Sequence, residues 1–169
     1  MANKKYLLKP FMRTIKEGFY LEDENGEVVY KGQMTKFKLF GASPFLFENK
    51  IKNTSEEHLI GKTVTAEESG AVGFFSTSSS FKFDGEKIWD YLHKKGIRID
   101  SNLSGNKIGM SYDVTFEGKE FAKIATSSPK GKSIITTDMF YDVECDEKDL
   151  DLAFLVAFSI GKTHQMFYN

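Results

Sequence analysis

The sequence predicts a mainly β fold: a closed antiparallel barrel of about twelve strands around a buried hydrophobic C-terminal helix, with one further helix outside it. Three observations carry this. Residues 146–160 read DEKDLDLAFLVAFSI, with acids at the head and then almost unbroken apolar residues, Ser159 being the one hydroxyl among them. A helix that is apolar all round must be covered on every side. Second, FYLEDENGEVVYKG places Asn25-Gly26 between two apolar strand pieces, the chemistry of a tight hairpin. Third, Ile108, Met110, Tyr112, Val114 and Phe116 alternate with polar residues, as a strand with one covered face requires. A bilayer could surround the helix, but a span needs about 18 to 20 apolar residues and this run is shorter. Protein must therefore wrap it, and most of the remaining chain reads as short strands.

The elements follow in order. Residues 5–9 form a first strand that is expected to end near Pro10, which has no amide hydrogen for a ladder. The hairpin pairs 19–21 with 28–30, and 34–40 continues as strand to a turn at 41–44 and an apolar piece at 45–47. Residues 50–55 read as loop, 58–66 and 71–75 as strands broken by a turn at 67–70, and 76–80 as a strand or edge rich in serine. The outer helix is placed at 84–95, capped by Asp84 and stopped by Gly96. Strand resumes at 97–100, with a loop at 101–105, the alternating strand, a turn at 117–119, a strand at 121–126, a turn at 127–131 and a last strand or pair at 133–144. Asp146 caps the final helix, and Gly161 and Lys162 are expected to end it. No linker or repeat interrupts the chain, so residues 1–169 are taken as a single domain.

Composition narrows the function. With 23 basic and 24 acidic residues the formal charge is −1, which provides no general field for nucleic acid. A single cysteine, Cys145, excludes an internal disulfide and a thiolate zinc cage. The opening MANKKYLLK has no apolar signal region, which points to the cytoplasm and makes the sequons at Asn53 and Asn102 chance matches. Three Gly-Lys-Thr/Ser triplets occur, at Gly61, Gly131 and Gly161, but the glycine that a phosphate loop needs five residues earlier is replaced by Glu56, Thr126 and Val156. His58, His93 and His164 are too dispersed to suggest a metal site, and no cofactor is expected. Asp138, Asp142, Glu144 and Asp146 read as a solvated strand face, and Ser104 and Ser111 lie in no nucleophile motif. Cys145 precedes the helix N-terminus, where a thiol can be activated, but without a partner motif a packed thiol is the default. The chain is expected not to be an enzyme.

Several stretches together resemble the tubby-like superfamily, in particular bacterial-type members of its LURP-one-related branch. They are the opening YLLKP, the FYLEDENGEVVYKG hairpin and the terminal DLDLAFLVAFSI helix, in that order across nearly the whole chain. The resemblance implies a barrel of about a dozen strands around the C-terminal helix. It also implies a binding or scaffolding module: animal tubby-like domains bind phosphoinositides through a basic surface, scramblases share the fold, plant relatives are linked to defence, and no catalytic set is common to them. The residues best suited to an anionic lipid headgroup or a phosphate are Ser127, Ser128, Lys130, Gly131 and Lys132, which combine two cations, two hydroxyls and a glycine in one turn. The alternatives are a carrier or enzyme with a barrel-mouth pocket, and a protein-interaction module using the helix that bears Trp89, Tyr91 and His93.

Overall fold

The structure is a computed structural model that describes residues 3–13, 16–35, 43–50, 66–69, 80–103, 110–127 and 140–168. Its strands are β1 (Lys4–Arg13), β2 (Lys16–Glu22), β3 (Val28–Met34), β4 (Ser43–Asn49), β5 (Ala66–Ser69), β6 (Ser80–Phe83), β7 (Glu86–Lys87), β8 (Ile97–Leu103), β9 (Met110–Phe116), β10 (Lys119–Ser127) and β11 (Phe140–Cys145). Helix α1 (Ile88–Lys94) separates β7 from β8, and α2 (Leu150–Tyr168) ends the chain. The strands form one antiparallel sheet in the order β7-β6-β5-β4-β3-β2-β1-β11-β10-β9-β8.

This sheet is open, which corrects the closed tubby-like barrel of about twelve strands. Among the described residues, eleven strands pair and no ladder joins β7 to β8. The physical reason lies between those strands. β7 has only two residues before the chain turns into α1, and α1 packs on β6, β7 and β8 with Ile88, Tyr91 and Leu92 buried. An apolar helix face thus occupies the seam that a further ladder would close.

Helix α2 is buried at every position from 150 to 162. It packs on β1, β3, β10 and β11, and rings from neighbouring strands complete its cover. Phe158 meets Phe47 edge-on at 5.0 Å between centroids, Phe19 at 5.5 Å and Phe45 at 5.8 Å, while Phe154 stacks on Tyr30 at 5.3 Å. Such pairs add to the burial of large aromatic area. Two glycines make room for them. A Cβ on Gly32 would lie 2.7 Å from the Phe47 ring and 2.9 Å from Phe158, and one on Gly161 would lie 2.7 Å from Phe19.

Several boundaries differ from those expected. α2 does not stop at Gly161: this glycine lies inside the helix, where its missing side chain admits the Phe19 ring. The helix is preceded by a 3-10 turn at Glu147–Asp149, capped by the Asp146 side chain, which accepts a hydrogen bond from the Lys148 amide at 3.1 Å. β1 runs through Pro10, because β11 pairs only as far as Leu8 and leaves Pro10 a single ladder partner, Phe19. Asp84 does not cap α1. With φ of 50° it forms a turn with Gly85 at 80°, the two positive values of a tight β6–β7 hairpin. Residues 66–69, expected mainly as a turn, form β5 between β4 and β6, and β8 extends through the expected loop to Leu103. At the β2–β3 connection only Gly26 has positive φ. Asp23 organises a wider loop instead, accepting hydrogen bonds at its Oδ1 from the amides of Asn25 and Glu27, each at 2.9 Å.

Candidate functional site

Of the residues expected to hold an anion, Ser127 ends β10, paired with Phe140. Ser128, Lys130, Gly131 and Lys132 lie outside the described residues, as do His58, Ser104, Asp138 and the triplets at Gly61 and Gly131. The third triplet is helix interior: Gly161 and Lys162 are buried, Lys162 Nζ lies 4.8 Å from the centre of the Phe45 ring, and Thr163 Oγ1 donates to the Ser159 carbonyl at 2.7 Å. Trp89 and Tyr91 do not share a surface, since Trp89 is 42 % exposed whereas Tyr91 is 4 % exposed and turned to the core beside Phe83. Cys145 is fully buried, and burial, followed by the charges of Asp149, Asp146 and Asp151, pushes its thiol far above the ordinary value. That is the reverse of an activated nucleophile. Asp142 is exposed and Glu144 partly so, on the outer face of β11. Among the described residues no group of three or more His, Cys, Asp or Glu side chains is placed to hold a metal ion.

Two surface clefts remain. The larger, about 500 Å³, lies between the β6–β7 hairpin and α1 and is lined by Lys82, Gly85, Glu86, Lys87, Asp90, His93 and Lys94. Its charges are mixed, and the Lys94 ammonium is already bound to the Glu86 carboxylate. The smaller cleft, about 190 Å³, is lined by Lys4, Tyr6, Asp23, Glu24, Asn25, Val29 and Glu147. It is assembled from three distant parts of the chain. The β1–β2 register pairs Leu7 with Glu22, so the next step brings Tyr6 beside Asp23 at the start of the loop. The β1–β11 register pairs Lys4 with Cys145, which brings Glu147 over the start of β1.

In this cleft Lys4 Nζ lies 2.9 Å from Glu147 Oε2. That hydrogen bond, then the Glu147 charge, holds the Lys4 ammonium above its ordinary pKa. Tyr6 is 5 % exposed yet lines the cleft, and its phenol is held protonated well above the ordinary value, by burial first and then by Cys145, Glu147, Asp23 and Asp146. Sequence reasoning missed this group. Its local signal was Asp23 two residues before Asn25-Gly26, but Glu147 joins only through the pairing of β1 with β11.

No family model, curated protein or solved structure matches the chain. With the open sheet, this overturns the resemblance to the tubby-like, LURP-one-related proteins. The functions built on it fall as well: the tubby-like module holding an anionic lipid or phosphate, and the carrier or enzyme with a pocket at a barrel mouth. The module based on a Trp89 helix surface loses its ground with the burial of Tyr91. No helix among the described residues is long and apolar enough to cross a membrane.

Proposed function

We propose that the chain is a non-catalytic binding protein of the cytoplasm that meets a protein partner on its outer surface. The observation that supports this most is how the interior is filled. From 150 to 162 every residue of α2 is buried, and Phe19, Tyr30, Phe45, Phe47 and Phe158 close around it, so the described clefts lie outside the core and are lined with charge. The protonated, buried Cys145 thiol supports the absence of thiol chemistry. Photo-crosslinking residues placed singly at Glu24, at Lys87 and at Lys119 test the proposal in cells that make the protein. Position 24 or 87 is expected to give a discrete protein adduct, and position 119, on the remote β9–β10 hairpin, none. Adducts at all three alike, or at none, would refute it.

A further inference from the structure

We propose that the cleft between β1, the β2–β3 loop and the 3-10 turn is a site for one cationic head group, the guanidinium or ammonium of a basic side chain on a partner protein. This rests on the reading of the chain as a binding protein. Two independent observations point to it. The first is charge: Asp23, Glu24 and Glu147 set three carboxylates around the cleft against one ammonium, Lys4. The capping of α2 explains acids at its N-terminus, but not their meeting Asp23 and Glu24 from a loop over a hundred residues earlier in the chain.

The second observation is Tyr6. Its side chain is 95 % buried, being 5 % exposed, it lines the cleft, and its hydroxyl makes no hydrogen bond with any described residue. Buried hydroxyls ordinarily have a partner. The neighbouring carboxylates keep the phenol protonated, and its oxygen can accept from a ligand N–H while the carboxylates take the other donors. The same carboxylates would repel a phosphate or a second carboxylate. A volume of about 190 Å³ admits a head group of a few heavy atoms and excludes a nucleotide.

Lys4 gives the site a property that a plain acidic surface lacks. Its ammonium already sits on Glu147 Oε2, an internal cation where the external one would bind. The side chain is 56 % exposed, so it can swing into water at little cost. Lys4 is therefore a built-in competitor, and removing it should tighten binding.

The test is an amide-shift titration of the labelled full-length chain with acetyl-Gly-Arg-Gly-amide, its lysine and glutamate analogues, and spermidine. The arginine and lysine peptides should shift Asn25, Gly26, Glu27 and Lys148 saturably, leave Lys119 unmoved, and bind with a dissociation constant on the order of millimolar. Added salt should weaken them. Lys4→Ala should tighten binding by about two- to fivefold. Tyr6→Phe, which keeps the ring in the core, should weaken binding by about fivefold, the loss of one hydrogen bond. Glu147→Gln should weaken it further. Peptide preferred over spermidine supports a polypeptide source, and the reverse assigns the cation to a free polyamine; either supports the site. The absence of a saturable shift, an equal response to the glutamate peptide, or Lys4→Ala weakening the binding overturns it. Crosslinked adducts at position 24 without any cation response would overturn the ligand while leaving the binding protein intact. A cation response without adducts would do the opposite.

Discussion

Replacing Gly161 by alanine sets two opposed effects against each other, and the structure decides between them. In an open helix the change is stabilising by about 1 kcal/mol, because glycine has the higher conformational freedom to lose. Here the new Cβ would lie 2.7 Å from Phe19 Cζ and 2.9 Å from Cε1. Carbon atoms rest at about 3.5 to 4.0 Å, so the ring has to retreat by roughly 1 Å. It has nowhere to go: Phe19 is fully buried, edge-on to Phe158 at 5.5 Å, and paired across the sheet with Gly32. Overpacking of this kind costs about 1 to 3 kcal/mol, which outweighs the helix term and leaves a net loss of about 1 kcal/mol. Urea unfolding followed by circular dichroism should show the midpoint fall with an unchanged slope, and the melting temperature should drop by about 2 to 4 °C. Because the cost resides in one contact, Phe19→Leu together with Gly161→Ala should be less harmful than the sum of the two alone. Stabilisation by Gly161→Ala, or strict additivity in the cycle, would refute the close approach of α2 to β2.

Other perturbations probe the same core and its titrating groups. Phe154→Asp places a charge between Tyr30 and Phe47 and should cost several kcal/mol in urea unfolding, whereas Phe154→Leu, which removes volume without adding charge, should cost roughly 1 to 3 kcal/mol. Cys145 should resist a thiol reagent at neutral pH and react only as fast as the chain unfolds; immediate stoichiometric modification of the native protein would contradict its burial. Burial raises the pKa of Cys145, Tyr6, Tyr141 and Tyr91, the last to about 12, so the unfolded chain gives up these protons first, from ordinary values of 9.0 for the thiol and 10.0 for the phenols. Stability should therefore be full below about pH 9 and fall as pH rises, by up to ~1.4 kcal/mol per pH unit for each group once its unfolded form has ionised. Phenolate absorbance should appear together with unfolding; its appearance in a still-folded chain near pH 10 would count against the burial of the tyrosines.

What was legible in the sequence was what local pattern dictates. The alternation around Tyr112 and Val114 appears as β9, and the apolar run after Asp151 appears as the buried part of α2, because side-chain period and burial are tied directly. The misreadings come from residues with two uses. Asp84 is as good an N-cap as it is a hairpin residue, and the following Gly85 favours the hairpin because both central positions need positive φ. Gly161 carries the composition of a helix stop but serves a close approach, which depends on a ring from β2 that no local window contains. The barrel was inferred from the need to cover α2, and that need does not demand closure. An open sheet with α1 in its seam provides cover as well. The acidic cleft was illegible for a related reason, since Tyr6, Asp23 and Glu147 carry no common motif.

The position of that cleft follows from where the ends of the chain meet. β1 and β11, the first and last strands, pair with one another in the middle of the sheet, with Lys4 opposite Cys145. Hairpins such as β9–β10 close short loops, but this pairing closes a loop of nearly the whole chain, and the entropy of so long a closure has to be met by contacts formed at once. α2 supplies them, because it follows β11 directly and buries its apolar face on β1, β3, β10 and β11 in the same step. Glu147 lies in the short turn between that strand and that helix, and Tyr6 in the strand they capture. The two therefore come together only when the central pairing and the docking of α2 are both complete. A site built across this seam exists in the finished fold alone, so a ligand held there stabilises the folded chain against every partly opened form in which β1 has left the sheet.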